Sequence, residues 1–331
     1  MAVDGSAHHG PLNYMSDINR AARGEPRVAL VTCAELPELE EDDRLLLAPL
    51  REYGVAVEPA VWDDPGVDWS GYRLVVLRSP WDYPLRRDEF VGWADTVPNL
   101  ANPADIVRWN TDKRYLAELA AAGLPTVPTT WLAPGTDWRP PSGGEYVVKP
   151  AIGAGSVDTG RYDLADAQQR GLALAHVRRL GAAGRTAMVQ PYLSAVDTAG
   201  ETALIFLAGP EGLTYSHAIR KHAMLTGPDT GASAEELFHR EQISPRTPSS
   251  AELAIAERVL TAVPGGPDRL LYARVDVIPD ADGAPVLVEL ELTEPSLFLA
   301  HAPGAARRFA AAIARRVGVP AAREVNSPAP N

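Results

Sequence analysis

The residues best placed to do chemistry lie between Leu270 and Leu292. Two runs of β-forming residues flank Asp282-Gly283, a strong signal for a two-residue hairpin turn. With the turn centred there, Asp276 falls opposite Glu289 and Arg274 opposite Glu291. Strand alternation puts all four on one face, and Val286, Val288, Leu290 and Leu292 on the other, which is expected to be the core side. Glu289 and Glu291 are then ~7 Å apart along one strand, and Asp276 is ~5 Å across the ladder from Glu289. Like charges at that spacing destabilise a sheet unless something offsets them. A divalent cation would do so, and a donor set of oxygens alone, with no His or Cys nearby, selects magnesium or manganese over zinc. The alternative is a solvated outer face on which Arg274 neutralises one acid.

A second group of residues suits phosphate. Lys149-Pro150 closes an expected strand, Glu145–Lys149, ahead of a small-residue loop with Gly153, Gly155 and Ser156. Such a loop lets backbone N–H groups point at an anion, and the lysine adds charge. Taken alone, a small-residue turn beside a solvated lysine explains the same residues. Lys113 is expected in the first turn of a helix capped by Asn110 or Thr111. That position is unfavourable against the helix dipole and points to an anionic partner. His217, Arg220 and Lys221 end the second strand of a hairpin (201–208 and 213–220) that runs toward the acidic face, so they are candidates to meet a substrate carboxylate. Arg78, Ser79 and Tyr83 follow the C-terminal end of an expected parallel strand, where open α/β sheets bind ligands.

The elements that must position these residues read as follows. Strands at Val28–Thr32, Val55–Trp62 and Leu74–Arg78 alternate with helical patterns around Leu45–Leu50 and Phe90–Val97, which indicates a small parallel α/β domain. The turn Thr32-Cys33-Ala34-Glu35-Leu36-Pro37 has no glycine, which argues against dinucleotide binding. Further along come a helix at Leu164–Leu180, a strand at Ala187–Gln190, a long polar loop over 221–247, and helices at Ala251–Val263 and Ala305–Val317. At 331 residues the chain exceeds the ~250–300 at which one core stops growing, so two or three units are expected. Acidic residues outnumber basic ones by 43 to 31, for a net charge of -12, which argues against nucleic acid as a partner. The single cysteine, Cys33, excludes a disulfide framework and is read as a small buried hydrophobe. No apolar run is long enough to span a membrane. Residues 1–26, with His8 and His9, and residues 319–331 read as disordered tails, and the expected location is the cytoplasm.

The features in chain order are a lysine on a helix, Lys149-Pro before a small-residue loop, Gln190-Pro191-Tyr192-Leu193 closing a strand, then Arg274-x-Asp276 and Glu289-x-Glu291. This order resembles the ATP-grasp superfamily of carboxylate–amine ligases, which includes D-alanine–D-alanine ligase, over roughly residues 27–318. The segments Arg78-Ser79-Pro80-Trp81-Asp82-Tyr83 and Glu289 to Ser296 look most like the cycloserine synthetase group, which closes O-ureido-D-serine to D-cycloserine. The resemblance implies an α/β ATP-grasp fold: an N-terminal parallel α/β domain (27–112), a central lid subdomain (113–189) and a C-terminal α+β subdomain with the metal site (190–318). It implies that Lys113 and Lys149 hold nucleotide phosphates under a lid loop of Gly153, Gly155 and Ser156. Gln190 and Leu193 would present backbone groups to adenine, with Glu201 on the ribose. Asp276, Glu289 and Glu291 would bind two magnesium or manganese ions, Arg274 and Lys149 would assist the chemistry, and Ser296 would join the substrate contacts. Two positions depart from the superfamily pattern: Gln190 stands where glutamate is frequent, and Glu291 where asparagine is frequent. The expected partners are ATP and a small amino acid, with a homo-oligomer compatible with the sequence. Competing functions are an intermolecular amide or dipeptide ligase and a nucleotide-binding module without chemistry.

Overall fold

The computed structural model describes residues 24–223, 225, 227–229 and 242–320. Residues 1–23 and 321–331 of the expected tails, and 230–241 of the expected polar loop, lie outside the described residues. Strands β1 (Arg27–Thr32), β2 (Ala56–Val61), β3 (Leu74–Ser79) and β4 (Leu100–Ala101) form a parallel sheet in the order β2-β1-β3-β4. These strands are almost continuously apolar because both faces are covered. Val28 and Leu30 pack with Leu46, Leu50 and Phe309, whereas Ala29 and Val31 pack with Trp62 and Phe90. The expected helix around Leu45–Leu50 is two short helices, Glu41–Arg44 and Leu47–Glu52, and Leu45 between them is exposed.

The other two sheets are antiparallel. Strands β5 (Thr130–Leu132), β6 (Glu145–Pro150), β7 (Gly160–Asp163) and β8 (Ala187–Pro191) form a sheet in the order β5-β8-β6-β7, backed by the helix Ala167–Ala182. Strands β9 (Glu201–Gly209), β10 (Gly212–Lys221), β11 (Ile243–Arg246), β12 (Tyr272–Pro279) and β13 (Pro285–Glu291) form the third, in the order β11-β10-β9-β12-β13. One face of this sheet is covered by the helix Ser250–Thr261, which starts with a Ser249/Glu252 capping box, and by the helix Tyr115–Ala121. Residues 115–124 therefore pack with the C-terminal core, although the division at 112/113 had grouped them with the lid; β8 likewise runs past 189/190 to Pro191.

The register of the acidic hairpin is the expected one where it matters. Arg274 pairs with Glu291 and Asp276 with Glu289. The turn is different. It spans Asp280–Ala284, with the Asp280 Oδ1 accepting from the Asp282 and Ala284 N–H groups at 2.9 Å, and Gly283 supplies the positive φ of 81°. A bulge between Asp276 and Val277 absorbs the one-residue mismatch and leaves Val288 unpaired on β13. It also reverses the sides: Leu287 enters the core, and Val286 and Val288 are only half-buried, while Leu290 and Leu292 remain in the core. Leu287 is thereby free to bond the connection to the central sheet, donating to the Pro125 carbonyl at 2.8 Å and accepting from Val127 N–H at 3.1 Å.

Three buried polar side chains tie the units together. Asn110 ends the helix Ala104–Asn110 instead of capping the next one, and its amide bonds the Leu290 carbonyl and the Leu292 N–H, both at 2.7 Å. Asn102 does the same for the Leu292 carbonyl and Leu271 N–H, both at 2.7 Å. Arg78 is fully enclosed, with Nε 2.8 Å from Asp43 Oδ1 and Nη2 2.6 Å from the Pro295 carbonyl. Removing that guanidinium leaves Asp43 buried without a cation. Arg78→Met is expected to cost about 3–5 kcal/mol of stability in urea unfolding, and Arg78→Met with Asp43→Asn markedly less.

Candidate active site

A cleft of about 1180 Å³ opens between the three sheets. Of the residues singled out from sequence, it is lined by Lys113, Lys149, Gly153, Gly155, Ser156, Gln190, Leu193, Glu201, Lys221, Arg274, Glu289 and Glu291, and on its N-terminal side by Tyr83 and Ser296. Asp276 lies just beneath, held by Lys221 and Arg274. Four expected substrate residues do not line it. Arg78 is enclosed between the N-terminal domain and the segment at Pro295, and Ser79 is buried with its Oγ 3.2 Å from Thr32 Oγ1. His217 is buried with Nε2 2.8 Å from the Leu297 carbonyl. Arg220 points to the opposite face of β10 from Lys221, as strand alternation requires, and donates to the Thr198 carbonyl.

The acidic face is enclosed, not solvated: Arg274 and Asp276 are buried and both glutamates half-buried. Each acid is paired. Arg274 Nε and Nη2 grip Asp276 at 2.9 Å, and Nη2 also reaches Glu291. Lys221 Nζ is 2.9 Å from Asp276 Oδ2 and also meets Glu201. Lys113 Nζ is 2.9 Å from Glu289 Oε1 and 2.7 Å from the Gly153 carbonyl. Lys113 occupies the turn before the helix Tyr115–Ala121, not its first turn, so the expected dipole penalty does not apply; its N–H donates to the Ala151 carbonyl at 2.8 Å. Burial pushes the Asp276 carboxyl up, but Arg274 and Lys221 outweigh it and hold it at about 2. Burial pushes Glu291 up to about 8, with Glu289, Asp276 and Glu294 adding to the rise against Arg274.

Lys149 is the exception. Its side chain has no ion pair or hydrogen bond among the described residues, and burial, with Lys113 and Lys221 nearby, lowers its pKa against the pull of Glu289 and Glu201. Above it the loop 151–158 is shaped by Gly155 and Ser156, both with positive φ, of 59° and 57°. The loop is braced from β8's side by Arg185, which bonds the Ile152 carbonyl at 3.1 Å and pairs with Asp158. The chain leaving Lys221 crosses to the central sheet, where Arg161 N–H donates to the Gly227 carbonyl at 2.9 Å and Asp229 pairs with Arg179. Gln190 Nε2 is bound to Thr129 Oγ1 at 2.9 Å, which leaves the adjoining backbone of β8 at the cleft wall. An oxygen-only donor set of this kind suits hard divalent cations. Among the described residues no three of these carboxylates converge on one point, because each is drawn to its own cation.

Residues 28–102 match the family model described as D-cycloserine synthetase DcsG, N-terminal domain. The chain is 40% identical over 302 residues to the Streptomyces lavendulae cycloserine biosynthesis protein DcsG, covering 88% of this chain and 98% of that one. The chain belongs to the D-cycloserine synthetase family. The crystal structure of D-cycloserine synthetase DcsG superimposes with a TM-score of 0.76 at 38% identity, covering 88% of this chain and 99% of that one. The Bacillus anthracis D-alanine–D-alanine ligase complexed with ATP superimposes with a TM-score of 0.57 at 14% identity, over 89% of this chain and 97% of that one, which establishes the shared ATP-grasp fold. As a D-cycloserine synthetase family member with that fold, the chain is an ATP-dependent ligase. No described helix is long and apolar enough to cross a membrane.

Several further residues line the cleft of this D-cycloserine synthetase family member. Glu294 continues the Glu289-x-Glu291 run, but β13 ends at Glu291, so strand alternation could not place it. Phe298 adopts a left-handed φ of 52° that sets its ring 5.5 Å from the Arg274 guanidinium, and no sequence signal marks it. Asp42 accepts from the Leu299 and Ala300 N–H groups at 2.8 and 2.7 Å; its Asp-rich helix start was the available clue. The pairing pattern separates the two lysines. Lys113→Met strands Glu289 without its cation and is expected to lose about 1–3 kcal/mol in urea unfolding. Lys149→Met strands no acid and is expected to leave the unfolding midpoint unchanged or raised.

Proposed function

We propose that this ligase activates the carboxylate of a small amino acid with ATP and then closes the ring within the same molecule, converting O-ureido-D-serine to D-cycloserine. The observation that carries the reading is the charge layout of one cleft: a half-buried lysine with no ion pair, Lys149, facing a ladder of carboxylates around Arg274. The near full-length relationship to the cycloserine biosynthesis protein supports the choice of substrate.

In this reading Lys113 and Lys149 receive the nucleotide phosphates, with the backbone N–H groups of Gly153, Gly155 and Ser156 closing over them. The backbone at Gln190 and Leu193 takes adenine, and Glu201 the ribose. Asp276, Glu289 and Glu291 hold two magnesium ions, which when bound neutralise phosphate charge and align the transferred group. Arg274, fixed by Asp276, the Ser296 carbonyl at 3.1 Å and Phe298, faces the carbonyl oxygen and stabilises negative charge as it develops there. The central sheet acts as the lid that keeps water from the acyl phosphate.

The bonds balance as follows. A carboxylate oxygen attacks the γ-phosphorus and ADP departs. The nitrogen attached to the side-chain oxygen then attacks the carbonyl carbon, and phosphate leaves with that carboxylate oxygen. Water removes the carbamoyl group as carbon dioxide and ammonia. Having both reacting groups in one molecule supplies orientation that an intermolecular ligase must create by binding two substrates.

Incubation with ATP, magnesium and O-ureido-D-serine as the only amino acid is expected to yield ADP, phosphate and D-cycloserine, read by mass spectrometry. ADP release that requires a second amine, with a linear amide as product, would establish intermolecular ligation instead. Glu289→Gln is expected to lower turnover about 100-fold or more with an unchanged circular dichroism spectrum, because it removes several kcal/mol of charge stabilisation from the transferred phosphoryl group.

A further inference from the structure

Among the described residues of the cleft, one enclosed acid, Glu294, has neither a cation nor a neighbour's backbone N–H in contact, as one cation, Lys149, has no acid in contact. Asp276, Glu201, Glu289 and Glu291 each have an arginine or lysine. The acids on the N-terminal side are also committed. Asp82 accepts from Trp62 Nε1 at 2.9 Å and lies 3.5 Å from Arg86. Asp42 holds the Leu299 and Ala300 N–H groups, and Glu40 holds the Asp42 N–H at 2.8 Å. Glu35 and Glu41 are exposed to water. Glu294, half-buried in the cleft wall, has no ion pair among the described residues. Lys113 acts on it from nearby but is bound to Glu289 and the Gly153 carbonyl.

The surroundings hold Glu294 in place. Trp81 Nε1 donates to its backbone carbonyl at 3.2 Å. The buried Tyr83 ring, stacked on Phe90 with centroids 5.0 Å apart, directs its hydroxyl toward the Glu294 carboxylate. A carboxylate desolvated in this way and lacking a protein cation is costly unless a ligand supplies one. Lys113, Lys149, Lys221 and Arg274 line the same cleft. A zwitterion bound with its carboxylate at Arg274 would have Glu294 available in the same cleft for its ammonium.

We propose that Glu294, steered by Tyr83, accepts the α-ammonium group of the amino-acid substrate and so restricts the site to substrates with a free amine. This rests on the reading that the ligase acts on an amino acid. The test uses the full chain saturated with magnesium and a non-hydrolysable ATP analogue, titrated calorimetrically with O-ureido-D-serine and with its des-amino counterpart, 3-(ureidooxy)propanoic acid. Wild type is expected to bind the des-amino compound about 10- to 100-fold more weakly, the range for a hydrogen bond between charged groups. Glu294→Gln is expected to lose that discrimination by weakening only the amino acid, with nucleotide affinity unchanged, and Glu294→Asp to regain part of it. Undiminished discrimination in Glu294→Gln, or equal weakening of both compounds, overturns the assignment. If wild type does not bind O-ureido-D-serine, the proposed substrate is wrong. The same comparison is then made with whichever α-amino acid stimulates ADP release, and if none does, the Glu294 assignment falls with it.

Discussion

An enclosed face that carries Arg274, Asp276, Glu289 and Glu291 on two adjacent strands governs the rest of this molecule. Charges taken out of water are tolerated only when each finds a partner. Arg274 satisfies two acids of the ladder from within. Glu289 takes its cation from elsewhere, Lys113 in the turn ahead of the helix Tyr115–Ala121, and Lys221 from the end of β10 adds a second cation to Asp276 and pairs with Glu201. Lys113 also bonds the Gly153 carbonyl, so the ladder reaches through it to the loop 151–158 of the central sheet. A single electrostatic requirement thus draws elements of the central and C-terminal units to one cleft.

The N-terminal domain is attached to that cleft by buried polar contacts to backbone. Arg78 holds the Pro295 carbonyl, Asn102 and Asn110 hold both sides of the chain around Leu290–Leu292, and Asp42 caps the short turn Leu299–His301. These groups fix the strand that bears the glutamates and the segment 293–300 that follows it. That segment presents Glu294, Ser296 and Phe298 to the cleft. Positioning the site through backbone partners makes it insensitive to small changes in apolar packing, because a misplaced carbonyl would leave an enclosed donor unsatisfied.

The bulge at Val288 shows how one inserted residue serves two needs. It keeps Asp276 opposite Glu289 although the pair next to the turn, Pro279 with Pro285, is one residue out of register with a two-residue Asp-Gly turn. It also turns Leu287 into the core and frees its backbone for the connection that leads to the central sheet. Alternation along a perfect strand predicts Val286 and Val288 in the core, and that expectation fails for this reason alone.

Much of the site is legible in the residues themselves. Strand alternation and a turn signal place four charged groups on one face, and Lys149 before a small-residue loop marks a place for an anion. The helices and strands follow from hydrophobic period and turn residues. What one sequence cannot carry is which polar side chain finds which distant partner. Arg78 and Arg220 look as available for a ligand as Lys221 does. Only the packed structure sends Arg78 to Asp43, Arg220 to the Thr198 carbonyl and Lys221 to Asp276. Local pattern determines the face of a strand on which a charge lies. Whether that charge is matched inside the protein, or left without an ion pair as at Lys149 and Glu294, is decided by contacts between residues far apart in the chain, since desolvation and pairing exist only once the units have closed on one another.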